Sequence, residues 1–121
     1  MSFNPEPYAA GLRAANERER REIGRRAEMA LREAQRIADE IGCGDPAVRR
    51  VVLFGSLVGG LPGTVDFDID LALDGGDVYA AMAVAESSSW PVDIVNLERL
   101  PEHVQQAVAR KGRVLYRSDA S

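Results

Sequence analysis

The stretch from Val51 to Leu73, VVLFGSLVGGLPGTVDFDIDLAL, decides the fold. It opens as the end of a β-branched strand, Arg50–Phe54, which stops at Gly55-Ser56. Leu61-Pro62-Gly63 interrupts whatever short helix follows Ser56. A second strand is then predicted over Phe67–Leu73. Its alternation puts Phe67, Ile69 and Leu71 on one face and Asp68 and Asp70 on the other. Asp66 offers a second Asp-x-Asp register with Asp68. The Asp68/Asp70 register is preferred, because Ile69 and Leu71 continue the strand. Two carboxylates on the same side of a strand are costly unless a cation neutralises them. Magnesium suits such a pair: it takes hard oxygen ligands and keeps waters and substrate phosphates in its shell.

Downstream, Asp74-Gly75-Gly76-Asp77 reads as a turn, with Asp66, Asp74 and Asp77 as turn residues. Val78–Glu86 is Ala-rich and reads as a helix, and Ser87–Pro91 as a loop. Val92–Asn96 is a third strand with Asp93 inside it. If that strand neighbours the second, Asp93 joins Asp68 and Asp70, and three carboxylates can hold two metal ions for displacement at phosphorus. A helix from Leu100/Pro101 to Arg110 follows, with Pro101 suited to its first turn. Lys111-Gly112 ends it, and Arg113–Tyr116 reads as a last strand. His103 reads as a surface histidine and Trp90 as core or edge packing.

Upstream, Tyr8 to Ile41 contains no proline and is rich in Ala, Arg, Glu and Leu, all good helix formers. Ile23, Ala27, Ala30/Leu31, Ala34, Ile37/Ala38 and Ile41 recur at helical spacing. Gly42 reads as the stop. Asn16–Glu22, NERERRE, has no apolar face. One helix over this whole span would be about 50 Å long, longer than the expected domain. It therefore either breaks near Gly24 or projects its first half. The projecting half reads as a solvated helix with charge pairs, or as a partner or homodimer contact through Tyr8, Leu12 and Ala15. The division is an N-terminal helical segment, 1–42, and a core, 43–121, in one structural domain.

Composition narrows the class. The 121 residues favour one domain. No apolar run reaches the roughly 18 residues of a membrane span, and MSFNPEPYAA lacks the apolar core of a signal peptide. Cys43 is the only cysteine, which excludes an internal disulfide and a multi-Cys zinc site; a cytoplasmic location is expected. Residues 1–50 hold 10 Arg against 9 Asp/Glu, while residues 51–121 hold 5 Lys/Arg against 10 Asp/Glu. No basic footprint marks a nucleic-acid binder. The acidic half holds the aspartates, pointing to a bound cation.

Gly55-Ser56 supplies a second element. A glycine directly after a strand, then a serine at a helix start, exposes N–H groups to phosphate oxygens. The serine hydroxyl adds a donor, and Gly59/Gly60 allow close approach. No Gly-Lys-Ser/Thr follows, so this is not a P-loop, and the glycine spacing is not that of a dinucleotide fingerprint.

Leu-Phe-Gly-Ser, a glycine-bearing loop, Asp-hydrophobic-Asp-Leu and a later strand aspartate together resemble the DNA polymerase β-type nucleotidyltransferases. Within these the chain is similar to the minimal nucleotidyltransferases, small proteins often paired with a helical HEPN partner. The likeness spans roughly residues 46–116, including the closing GRVLYR. It implies an α/β (α+β) fold, a small mixed sheet of about four strands with helices packed on it, preceded here by a long helix. It implies that Gly55 and Ser56 hold the β,γ-phosphates of ATP, and that Asp68 and Asp70 ligate two Mg²⁺ ions. Asp93 would complete the metal site facing the attacking hydroxyl. An NMP group, AMP from ATP, would pass to that hydroxyl, which in paired toxin–antitoxin systems can belong to a tyrosine of the HEPN toxin.

Three departures accompany the likeness. Where family members commonly carry Gly-Ser-Arg-x-Arg-Gly, this chain has Gly-Ser-Leu57-Val58-Gly59-Gly60. Phe67 stands where serine is frequent. Eleven residues separate Ser56 from Asp68, about one more than usual. The arginine-poor loop favours an inactive binding module that masks a partner, whereas the three aspartates favour an enzyme. Transfer to a small acceptor such as an aminoglycoside fits less well, since little chain remains to bind one.

Overall fold

The computed structural model describes residues 6–58 and 68–118, with side chains from Asn16 onward. The first element, α1, is a single helix over Glu6–Gly44. Its 39 residues make it about 58 Å long at 1.5 Å per residue. It does not break at Gly24. Residues 16–21 are exposed, and among the described side chains Ile23 is the first buried one. Of the two expectations for this helix, the break is not found, and the exposed stretch 16–21 agrees with the other. Tyr8, Leu12 and Ala15 lie outside the described side chains.

Neither does α1 stop at Gly42. A Cβ at Gly42 would collide with the Tyr116 ring. The glycine makes room for that aromatic side chain instead of ending the helix, which continues one half-turn to Gly44.

The remaining elements are β1 (Arg50–Phe54), a 3₁₀ turn (Gly55–Leu57), β2 (Ile69–Asp74), α2 (Val78–Glu86), β3 (Val92–Asn96), a second 3₁₀ turn (Leu97–Arg99), α3 (Glu102–Lys111) and β4 (Arg113–Arg117). The sheet order is β3-β2-β1-β4. β1 pairs antiparallel with both β2 and β4, and β2 pairs parallel with β3. The parallel pair is joined through α2, as a parallel connection requires. This is the mixed four-stranded sheet the sequence implies. Phe67, Asp66 and Leu61-Pro62-Gly63 lie outside the described residues.

Alternation along the strands divides the core between two faces. Val51, Leu53, Ile69, Leu71, Leu73 and Ile94 pack with the buried stripe of α1 and with α2. Ala30, Ala34, Ile37 and Ala38 of that stripe are fully buried, and the small residues let the helix lie close to the sheet. Val52, Ala72 and Val108 form a smaller core under α3 on the opposite face. Asp70, two residues from Ala72, belongs to this second face, at the end of β2 away from Asp74.

Asp74 is not a turn residue. It ends β2, is 9% exposed, and is directly opposite Arg50 in the β1–β2 register. Arg49 donates to its Oδ1 at 2.7 Å and Arg50 to its Oδ2 at 2.9 Å. Asp77 is the N-cap of α2, accepting from the backbone N–H groups of Tyr79 and Ala80. His103 is exposed on α3.

Candidate active site

The site is built where β1 ends and β2 and β3 begin. Gly55 follows Phe54, and Phe54 pairs with Asp70 across the β1–β2 ladder. Gly55 has φ +81°, a left-handed conformation that side-chain-bearing residues avoid. A Cβ there would also run into Oδ2 of Asp70. Glycine is thus required twice: to make the turn, and to let backbone lie against a carboxylate. Ser56 follows, exposed, in the one-turn 3₁₀ helix. Leu57, where the family resemblance leads one to expect an arginine, is buried in the core at 6% exposure. That position therefore contributes apolar packing and offers no cation to a phosphate. The other position where the pattern has an arginine, Gly59, lies outside the described residues.

Across β2 on the other side, Asp70 pairs with Asp93 in the parallel β2–β3 register. Asp68 stands just before β2, which begins at Ile69 and not at Phe67, and its charge acts on Asp70. Asp68 and Asp93 are exposed and Asp70 is partly buried. Burial pushes the Asp70 pKa up, and the charges of Asp93 and then Asp68 push it further in the same direction. Among the described residues, no cation pairs with Asp70. Its environment is the reverse of Asp74's. Burial alone would raise the Asp74 pKa, but hydrogen bonds from Arg49 and Arg50 outweigh it and hold the carboxyl below its ordinary value.

The donor set fits a hard divalent cation. Asp70 and Asp93 offer carboxylate oxygens from adjacent strands, Asp68 offers a third, and the Gly55 backbone lies directly against the Asp70 carboxylate. Among the described residues, no group of three or more carboxylate, histidine or cysteine side chains is gathered closely enough to hold a metal ion by itself. Magnesium is typically held by one or two carboxylates plus water and phosphate oxygens, so an open pair is a suitable seat.

The sheet order, the parallel β2–α2–β3 crossover and the Gly55 turn abutting a strand carboxylate define a nucleotidyltransferase fold. Sequence comparison agrees: the chain matches the family described as "Polymerase beta, Nucleotidyltransferase" over residues 38–121, the larger part of its length, and belongs to that family. No curated protein sequence matches it. Among solved structures, a toxin–antitoxin complex with AMP-PNP aligns at TM-score 0.57 and 22% identity, covering 70% of this chain and 74% of that one. An MNT antitoxin bound to a tri-AMPylated Shewanella oneidensis HEPN toxin aligns at TM-score 0.52 and 22% identity, over 70% of each chain. A nucleotidyltransferase-fold protein from Sulfolobus solfataricus aligns at TM-score 0.55 and 16% identity, covering 83% of this chain and 91% of the other.

Sequence reasoning missed the arginine pair on Asp74 and the seat of Trp90. The Arg26 guanidinium lies 5.0 Å from the centre of the Trp90 ring, a cation–π contact between α1 and the loop before β3. No local signal pairs residues 64 positions apart in sequence.

Proposed function

We propose that the chain is a Mg²⁺-dependent nucleotidyltransferase that transfers AMP from ATP to a hydroxyl on a HEPN-type helical partner, acting as an antitoxin. The observation that carries this reading is the Asp70–Asp93 register beside the Gly55 turn, with Asp68 adding a third carboxylate and no described cation in attendance. Family membership supplies the reaction class, and the structural neighbours named above supply the partner class.

In this reading Gly55 and Ser56 hold the β,γ-phosphates. Asp68, Asp70 and Asp93 would ligate two magnesium ions, which when bound neutralise phosphate charge and polarise the α-phosphorus. This reading is supported by the sheet order, in which the Gly55 turn is on the β1 side of β2 and Asp93 on the β3 side. The leaving pyrophosphate thus belongs with β1 and the acceptor with β3. The acceptor oxygen bonds to the α-phosphorus as the bond to the β-phosphate oxygen breaks. Pyrophosphate departs, and the hydroxyl proton passes to Asp93 or to solvent.

Incubation with labelled ATP, Mg²⁺ and a HEPN-type partner, followed by mass spectrometry, tests this. The expected result is one AMP-sized addition per modified hydroxyl, absent in Asp70→Asn. Lack of any addition, with ATP binding also absent, would contradict it. One observation favours a second reading, in which the fold only masks its partner: Leu57 is buried where an arginine would grip phosphate. That reading predicts partner binding without ATP binding.

A further inference from the structure

β3 stands at the edge of the sheet, with β2 as its one strand neighbour. It carries Asp93 directly opposite Asp70. Like charges placed opposite one another on adjacent strands repel, and an edge strand has no second neighbour to resist that push. The loop that leads into β3, Ser87–Pro91, supplies a further hold.

Two side chains of α1 grip this loop. The Arg26 guanidinium lies 5.0 Å from the centre of the Trp90 ring. Two turns further along the helix, Glu33 accepts a hydrogen bond at 2.8 Å from the Ser88 hydroxyl. That hydroxyl accepts in turn from the Trp90 backbone N–H at 3.1 Å. Arg26, Ala30 and Glu33 recur at i, i+4 and i+7 and so share one side of the helix. Ala30, between the two polar residues, is fully buried, which fixes α1 against the core where it holds the loop. The connection then runs on into the sheet. The Pro91 carbonyl accepts from the Ile69 N–H at 2.9 Å, and Ile69 stands between Asp68 and Asp70. One residue later in each strand, Asp93 meets Asp70.

We propose that Arg26 and Glu33 are positioning residues for the Asp70–Asp93 pair, acting through Ser88, Trp90 and Pro91 to hold the start of β3 beside β2. This rests on the metal-site reading for its consequence in binding, but the hold itself is measurable without metal. An edge strand set in advance lets a cation meet both carboxylates without first drawing them together, and pre-organisation of this kind strengthens binding. Both residues precede the family match, which begins at residue 38. The N-terminal helix is thus part of the framework of the site in this chain.

The test uses the full chain and four variants. Ser88→Ala removes the hydroxyl that joins Glu33 to Trp90, and Arg26→Leu removes the cation from the ring. Arg26→Lys keeps a cation there, and Arg32→Ala alters an exposed arginine of the same helix. In metal-free protein, Ile69 amide hydrogen exchange, read by NMR, should quicken about tenfold in Ser88→Ala and Arg26→Leu, while the amides of β1 keep their rates. Mn²⁺ affinity in the presence of ATP, read by electron paramagnetic resonance, should weaken about tenfold in the same two variants, the low end of the loss seen when a group orienting a metal ligand is removed. Arg26→Lys and Arg32→Ala should stay within about twofold of the parent on both readouts. If Arg26→Leu does not fold, Ser88→Ala decides. Unchanged Ile69 exchange in Ser88→Ala would overturn the proposal, as would unchanged Mn²⁺ affinity beside quickened exchange. Equal losses in Arg32→Ala would overturn it too, as a general effect of altering the helix. Failure of the transferase reading looks different: the parent would bind no Mn²⁺ beyond Mn·ATP while Ile69 exchange still answers to Ser88→Ala, a result that supports the hold on β3 and removes the metal.

Discussion

Asp70 and Asp74 are on the same face of the same strand, four residues apart, and they have opposite surroundings. Asp74 is buried against two arginines and is held below its ordinary pKa. Asp70 is partly buried against two more carboxylates and is pushed above it. A fold that needs a carboxylate for stability provides its countercharges in the chain. A fold that leaves a carboxylate facing others is suited to a countercharge that arrives from outside. On this account one end of β2 is structural and the other end is where a cation binds.

The comparison can be broken most decisively at Asp70. Asp70→Asn should lower metal-dependent ATP binding or AMP transfer by about a thousandfold, the scale expected when several kcal/mol of metal anchoring is removed. The metal-free protein should be as stable as the parent or more so, because a repelled charge has been removed. Chemical denaturation alongside the activity assay checks both halves.

Asp74→Asn should reverse that pattern. Loss of charge-assisted bonds to Arg49 and Arg50 should cost roughly 1.5–3 kcal/mol of stability, while the folded fraction keeps its metal-dependent binding. Urea titration measures the first and calorimetry the second. Gly55→Ala sharpens the contrast from the phosphate side. Forcing φ +81° on alanine should cost about 1–2 kcal/mol. The new Cβ would displace the Asp70 carboxylate, so nucleotide binding should weaken more than stability does.

The smallest effect is on pH dependence. Asp74 is lowered in the fold, so its contribution is present above the ordinary aspartate range and is lost as pH falls through its folded value. Asp70 is raised, so the metal-free fold binds its proton more tightly than the unfolded chain does. Stability should therefore decline as pH rises from the ordinary value through the folded one. Metal-free stability followed against pH should lose its acid-side slope in Asp74→Asn and its opposing decline in Asp70→Asn.

The two ends of β2 also differ in how much the sequence discloses. Asp68-Ile69-Asp70-Leu71 shows its alternation directly, whereas the placing of Asp93 beside it is conditional until the β2–β3 register is seen. Strand and helix spans elsewhere follow from the same local periodicities. Asp74 is different: flanked by Gly75-Gly76, it reads as a turn, and only the β1–β2 register brings Arg50 opposite it. Gly42 reads as a helix stop until Tyr116, 74 residues later, is seen to need its space. Local pattern gives elements and faces. Partners far apart in sequence are decided by register and packing, which no short window contains.

The central claim is that Asp70, and not Asp74, seats a divalent cation shared with nucleotide. Electron paramagnetic resonance of Mn²⁺, titrated with the parent, Asp70→Asn and Asp74→Asn proteins in the presence of ATP, measures this. The account predicts protein-bound Mn²⁺ in the parent and in Asp74→Asn, and none beyond the Mn·ATP background in Asp70→Asn. Equal binding in all three, or loss only in Asp74→Asn, would contradict it.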